Sequence, residues 1–289
     1  MGTITVGVDC SEGAEAALRW AMREAEFRAW SITAVLAWDF LDQQHSIVGE
    51  RFDPNYGEPE ALDALNEIVL AAAGAQSASA ISCRVMCDLA APALLGASST
   101  SDLLVIGARG LGGFGGLRLG SVSQQCLHHA TVPVAIVRDI AQPGGTMERI
   151  VVGIDGSETS QRALRWALEE GRLRQAAVAV VHTWHSPSGG AYPYGVPAFD
   201  PELYEKAARQ VLDTAVDEED TAGLPVPVER IVALGGAASV IIEAAKGADL
   251  VVVGSRGLGG FKGLLLGSVS HQVTHHAPCP VVVVPPAMD

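Results

Sequence analysis

Two copies of one glycine-rich segment hold the residues best suited to chemistry. Residues 105–137 read VIGARGLGGFGGLRLGSVSQQCLHHATVPVAIV and residues 252–284 read VVGSRGLGGFKGLLLGSVSHQVTHHAPCPVVVV, with roughly two-thirds of the paired positions identical. Both keep the spacing Gly-x2-Gly-x9-Gly-Ser, carried by Gly107, Gly110, Gly120 and Ser121 and then by Gly254, Gly257, Gly267 and Ser268. Glycines let a backbone approach phosphate oxygens closely and adopt positive φ. A Gly-Ser pair at the start of a helix places free N–H groups and the positive end of the dipole where an anion is stabilised. Arg109 and Arg256 are the cations that both loops share. The chemistry these residues suit is phosphate binding, once per copy; the alternative is a tight strand-to-helix connection with no ligand.

Other motifs in the same stretch fail on inspection. Gly110-Leu111-Gly112-Gly113-Phe114-Gly115 matches GxGxxG, but Lys262 replaces the last glycine in the second copy, and the segment follows a fourth strand where a dinucleotide fold needs the first. A Walker A loop needs Gly-Lys-Ser/Thr, which neither copy has, so fast phosphoryl transfer lacks its usual parts. The serines of GSVSQQ and GSVSHQ are nucleophiles only beside a base, and His271 is matched by Gln124 in the first copy. The pairs His128-His129 and His275-His276 end a helix before a Pro-led strand, where histidine suits the helix C-terminus better than a metal.

The elements that must position these loops also repeat. VGVDCS at residues 6–11 recurs as VGIDGS at residues 152–157, so the 289-residue chain is a duplicated domain. The boundaries fall at 1–140 and 147–289, with a Pro- and Gly-containing linker at about 138–147. In the first copy, alternation predicts strands over 3–8, 32–37, 82–87, 102–107 and 133–137. Helices are predicted from Ser11, over 59–78, over 92–98 and over 121–129. In the first helix Ala14, Ala17, Leu18, Ala21 and Ala25 form an apolar stripe, with Arg19, Arg23 and Glu24 turned outward. The second copy repeats the order, with strands near Ile150, Val178, Val226, Leu250 and Val281. Long polar loops at 39–59 and 184–201 differ in sequence between copies.

Apolar strands alternating with helices predict an α/β fold, a parallel sheet covered on both faces, in two tandem doubly wound domains. Ligands in such sheets sit beyond the carboxyl ends of the strands at the switch point. Asp9 and Asp155 end the first strand of each copy; Gly107 and Gly254 end the fourth. These aspartates are suited to a ribose hydroxyl or to Mg2+, and equally to capping the next helix.

A net charge of −14 argues against a nucleic-acid or anionic-membrane surface. The opening MGTITVGVDC reads as a strand, without signal-peptide character, and Val6 stands where a myristoylation pattern needs Ser or Thr. No segment approaches the ~18 apolar residues of a membrane span. Five irregularly spaced cysteines, Cys10, Cys83, Cys87, Cys126 and Cys279, suit incidental thiols in a reducing cytoplasm.

VGVDCS and VGIDGS, the two Gly-x2-Gly-x9-Gly-Ser loops, and the trailing SVSQQCLHHATVPV and SVSHQVTHHAPCPV resemble the universal stress protein family, in its tandem, ATP-binding, mycobacterial-like form. The resemblance covers nearly the whole chain. It implies five parallel strands per domain in the order 3-2-1-4-5, with ATP at the ends of strands one and four. By that resemblance Asp9 and Asp155 contact ribose or the phosphate–Mg2+ end, Gly7 and Gly153 let adenosine approach the first strand, and Ala37 and Thr183 flank adenine. Gly107, Ala108, Arg109, Gly110, Leu111, Gly112 and Gly113, with Gly254, Ser255, Arg256, Gly257, Leu258, Gly259 and Gly260, wrap ribose and phosphates. Gly120, Ser121, Val122 and Ser123, with Gly267, Ser268, Val269 and Ser270, hold phosphate oxygens. Cys10 against Gly156 is the departure, and a side chain there is expected to crowd the first site. The family also pairs through its last strand, so residues 134–137 and 281–284 are expected to form an intramolecular pseudo-dimer or a homodimer.

The resemblance thus implies a cytoplasmic, ATP-binding stress-response regulator with at most slow hydrolysis and no catalytic residues. Competing readings are an ATP-hydrolysing or adenylyl-transferring enzyme, for which neither SGGxDS nor HIGH is present, and a nucleotide-independent module for an unknown protein partner. The loop reads phosphate, so the sequence leaves ATP, AMP and a cyclic nucleotide open.

Overall fold

A computed structural model describes residues 2–38, 57–111, 118–138, 148–185, 200–259 and 265–287. The predicted linker, most of both long loops, and Gly112, Gly113 and Gly260 lie outside the described residues. The chain divides into two compact units, 1–143 and 144–287.

Unit 1 runs β1 (Thr3–Gly7), α1 (Glu12–Arg28), β2 (Ser31–Trp38), α2 (Glu58–Ala78), β3 (Ile81–Cys87), α3 (Ala90–Ser98), β4 (Leu103–Gly107), α4 (Ser121–His129) and β5 (Val134–Val137). Its strands pair in parallel in the order β3-β2-β1-β4-β5. Unit 2 repeats this with β6 (Arg149–Gly153), α5 (Glu158–Arg174), β7 (Ala177–Trp184), α6 (Pro201–Asp217), β8 (Glu229–Leu234), α7 (Ala237–Ala244), β9 (Leu250–Gly254), α8 (Ser268–His276) and β10 (Val281–Val284), in the order β8-β7-β6-β9-β10. Both units therefore switch direction between their first and fourth strands, where a crevice opens beyond the carboxyl ends.

The sheets are apolar because helices cover both faces. Ile4, Val6, Leu104 and Val105 in unit 1, and Ile150, Val151, Val152, Leu250 and Val252 in unit 2, are fully buried. Each such side chain contributes about 1.5–3 kcal/mol. The predicted stripe of α1 is buried, and Ser11 caps the helix by accepting from the Ala14 amide at 3.1 Å.

Three expectations change. Glu24 does not face solvent: it is fully buried and ion-paired with Arg28, whose guanidinium lies 4.7 Å from the centroid of the Trp30 ring. Glu170 and Arg174 repeat this buried pair in unit 2. The third strand of unit 2 starts at Glu229, not near Val226, because Pro225 and Pro227 lack the N–H that a ladder needs. Helix α3 begins at Ala90, ahead of Pro92, since proline is tolerated in a first turn whose N–H groups have no intrahelical partner.

Candidate functional site

In each unit the carboxylate at the end of the first strand reaches across the switch point and holds the glycine loop. Asp9 Oδ1 accepts from the Ser11 amide at 3.1 Å and from the Ser11 hydroxyl, while Asp9 Oδ2 accepts from the Leu111 amide at 3.1 Å. In unit 2, Asp155 Oδ1 accepts from the Ser157 amide at 3.0 Å and Oδ2 from the Leu258 amide at 2.7 Å. Each aspartate therefore closes an Asx turn into the following helix and ties down a loop about a hundred residues away. Burial alone would push the Asp155 carboxyl up. Hydrogen bonds from the Ser157 hydroxyl, the Leu258 and Ser157 amides and the Ser160 hydroxyl outweigh burial and hold it below the ordinary carboxylate range.

This clamp explains why Gly110 and Gly257 carry no side chain. A Cβ at either would fall on the clamping oxygen, Asp9 Oδ2 or Asp155 Oδ2. None of Gly107, Gly110, Gly120, Gly254, Gly257 and Gly267 has positive φ, contrary to the expectation from composition. Close approach, not backbone handedness, accounts for Gly107, Gly110, Gly254 and Gly257, whereas a Cβ at Gly120 would meet nothing closer than 3.6 Å. Gly7 and Gly153 also have a role inside the protein: a Cβ at Gly7 would lie 2.8 Å from Leu94 Cδ1, and one at Gly153 would run into the Ile241 side chain. The space they leave is filled by side chains of α3 and α7.

The far end of each loop is anchored by backbone. The Ala108 amide donates to the Val137 carbonyl at 2.7 Å and the Gly120 amide to the Ala108 carbonyl at 2.8 Å. Ser255 and Gly267 repeat both bonds at 2.7 Å. Ser123 and Ser270 are buried, and their hydroxyls donate to the Gly107 and Gly254 carbonyls at 2.9 and 2.5 Å. Each hydroxyl hydrogen is thereby committed to the loop. Ser121 and Ser268 are instead exposed at the first positions of α4 and α8.

Those two helices start differently from α1 and α5. Ser11 and Ser157 cap the latter, whereas Gly120 and Gly267 supply no side-chain cap. Among the described residues the opening N–H groups of α4 and α8 thus have neither an intrahelical partner nor a side-chain cap, in helices of nine residues. Arg109 and Arg256 are exposed close by, with no ion pair to either among the described residues. Ala37 and Thr183 are half-buried at the carboxyl ends of β2 and β7. The arrangement suits an anion at the helix start and a flat group along the strand ends.

The same fold recurs outside this chain. The sequence pattern of the universal stress protein family matches residues 1–138 and again residues 146–285. The chain belongs to the universal stress protein family. It is 33% identical over 291 aligned residues to a universal stress protein of Mycolicibacterium smegmatis, covering 98% of this chain and 97% of that one. With a universal stress protein of Mycobacterium tuberculosis it shares 32% identity over 289 residues, 97% of this chain and 95% of the relative. The crystal structure of a universal stress protein from Archaeoglobus fulgidus aligns with 99% of this chain and 97% of its own, at a TM-score of 0.67 and 20% identity, a likeness of fold.

The two units differ at several positions around the clamp, beginning with the Cys10/Gly156 departure. Gly156 has φ of +84°, with Val211 Cγ1 3.4 Å from where a Cβ would stand; Cys10 is not among the positive-φ residues. The Cys10 thiol is half-buried and pushed up, first by that burial and then by the Asp9 charge. Ser255 buries a hydroxyl without a hydrogen-bond partner among the described residues, where unit 1 has Ala108. His182, equivalent in the sequence to Leu36 of unit 1, donates from Nδ1 to the Ile154 carbonyl at 2.9 Å. Thr159 replaces Gly13 in the first turn of α5. No helix among the described residues is long and apolar enough to cross a membrane.

Proposed function

We propose that this universal stress protein binds one adenine nucleotide, ATP, in each unit and acts as a cytoplasmic stress-response regulator through its nucleotide state, with at most slow hydrolysis. The observation that carries the reading is the pair of uncapped helix starts at Gly120-Ser121 and Gly267-Ser268, each beside a loop clamped across the switch point. Fixed donors that need no rearrangement favour an anion at such a place.

In this reading the amides of Ser121, Val122, Ser268 and Val269 receive phosphate oxygens, with the Ser121 and Ser268 hydroxyls and Arg109 and Arg256 adding charge-assisted contacts. Ala37 and Thr183 border the base. Asp9 and Asp155 hold the loop and retain acceptor capacity for a ribose hydroxyl or for Mg2+, because a carboxylate offers about four acceptor positions. A bound nucleotide would supply phosphate charge and a metal ligand set. The chain's contribution is positioning, since the lysine of a Walker A loop is absent.

The test separates binding from folding. Gly120→Asp with Gly267→Asp introduces good helix N-caps. A Cβ at Gly120 meets nothing closer than 3.6 Å, and one at Gly267 lies 3.3 Å from the Ser255 carbonyl oxygen, so circular dichroism first checks that the variant is folded. The added carboxylates would sit where phosphate is proposed. Freshly purified wild-type protein is denatured and its released nucleotide identified by chromatography and mass. One ATP per unit is expected from the wild type and none from the folded double variant. Equal retention in both would overturn the reading.

A further inference from the structure

Glycine is the poorest helix former after proline, yet Gly13 stands in the first turn of α1. Its surroundings account for it. A Cβ on Gly13 would lie 2.6 Å from the Arg109 carbonyl oxygen. Reciprocally, a Cβ on Gly107 would lie 2.8 Å from the Gly13 carbonyl carbon and oxygen. Every closest atom is backbone, so no side chain can swing away to relieve the overlap. The first turn of α1 and the glycine loop of unit 1 are therefore in direct main-chain contact.

Unit 2 is built otherwise. Thr159 occupies the equivalent place, and its Cγ2 and main-chain atoms stand 3.0–3.2 Å from the Cβ position of Gly254. A side chain lies against the base of the loop, and the Leu258 amide still reaches Asp155 at 2.7 Å.

We propose that Gly13 is a positioning residue for the unit 1 loop and that the Gly13/Thr159 difference makes the two nucleotide sites unequal. The inference rests on the nucleotide reading above for its consequence, though not for its geometry. A residue with a Cβ at 13 must displace the Arg109 backbone. The Ala108 amide, bonded to the Val137 carbonyl at 2.7 Å, fixes the segment just before it. The displacement is therefore taken up over Arg109, Gly110 and Leu111, which lengthens the bond from the Leu111 amide to Asp9 Oδ2 and carries Arg109 away from the α4 start. In unit 2 the loop is already shaped around a threonine, so Thr159→Gly leaves the Leu258 clamp in place.

The experiment uses the full chain in three variants: Gly13→Ala, Gly13→Thr and Thr159→Gly. Amide hydrogen exchange is followed at Leu111 and Leu258 in nucleotide-free protein, and ATP–Mg2+ is then titrated calorimetrically. Exchange at Leu111 is expected to speed up at least tenfold in both Gly13 variants, with Leu258 unchanged. Wild-type protein is expected to show two classes of ATP site. Gly13→Thr should weaken one class about tenfold and leave the other unaltered, while Thr159→Gly should leave Leu258 exchange unaltered. Alanine is the better helix former, so a folded Gly13→Ala protein keeps the test valid if threonine disrupts folding. Unchanged Leu111 exchange in that variant overturns the proposal. Faster exchange with two unaltered ATP sites overturns it as well, reducing Gly13 to a packing residue. If wild-type protein binds no ATP while Leu111 exchange accelerates, the loop positioning stands and the nucleotide reading falls.

Discussion

The crevices of units 1 and 2 share their clamp and differ in what surrounds it. Asp9 and Asp155 hold Leu111 and Leu258 in the same way, and both carboxylates close an Asx turn. Around them, Gly13 corresponds to Thr159, Cys10 to Gly156, Ala108 to Ser255 and Leu36 to His182. The shared contacts fix where the loop crosses the switch point. The differences change how closely the first helix approaches it and which polar groups lie beneath. Duplication has kept the device that closes the loop while its supports diverged.

The largest expected effect tests the shared part of the framework. Glu24 and Glu170 are each fully buried against an arginine, so Glu24→Ala or Glu170→Ala strands a buried charge at a cost of about 3–5 kcal/mol. Denaturant unfolding should show similar losses for the two variants. A loss confined to one unit would mean that the buried pairs are not equivalent.

A smaller effect tests the divergence. Gly156→Cys forces a side chain to φ of +84° beside Val211 and should cost about 1–3 kcal/mol. Cys10→Gly, at a position without positive φ, should cost less, through the added chain freedom alone. Thermal unfolding of the two swaps distinguishes them, and equal costs would show that the turns after β1 and β6 share one conformation.

The smallest effect concerns the clamp in unit 2. Because the folded pKa of Asp155 is depressed, its stabilisation is present above the unfolded value near 3.9 and is lost as pH falls through the folded value. Asp155→Asn should lower stability at neutral pH by about 1 kcal/mol and flatten the dependence of stability on pH below about 4. An unchanged acid limb in this variant would show that the clamp does not carry it.

Much of this was legible in residue order. Apolar strands alternating with helices required a covered parallel sheet, and the duplicated VGVDCS and VGIDGS segments marked the start of each unit. The Ala14–Ala25 stripe was readable by period alone, because an amphipathic helix must bury one face. Glu24 was misread, since the same periodicity places a carboxylate outward unless an arginine one turn later joins it in the interior. The offset start of β8 could have been found from Pro225 and Pro227.

By itself the sequence determined the duplication, the α/β class and which loop belongs at the sheet's carboxyl edge. These follow from local periodicity and from motifs repeated at nearly constant spacing. Only tertiary structure decided why the glycines are glycines. Gly110 and Gly257 yield to a carboxylate, Gly7 and Gly153 to Leu94 and Ile241, and Gly13 and Gly107 to each other's backbone. Of these neighbours, the aspartates and Gly107 lie about a hundred positions from the residues they exclude, and Leu94 and Ile241 lie almost as far. Excluded volume between such residues leaves no periodic trace along the chain; it exists only once the strands have brought the segments together.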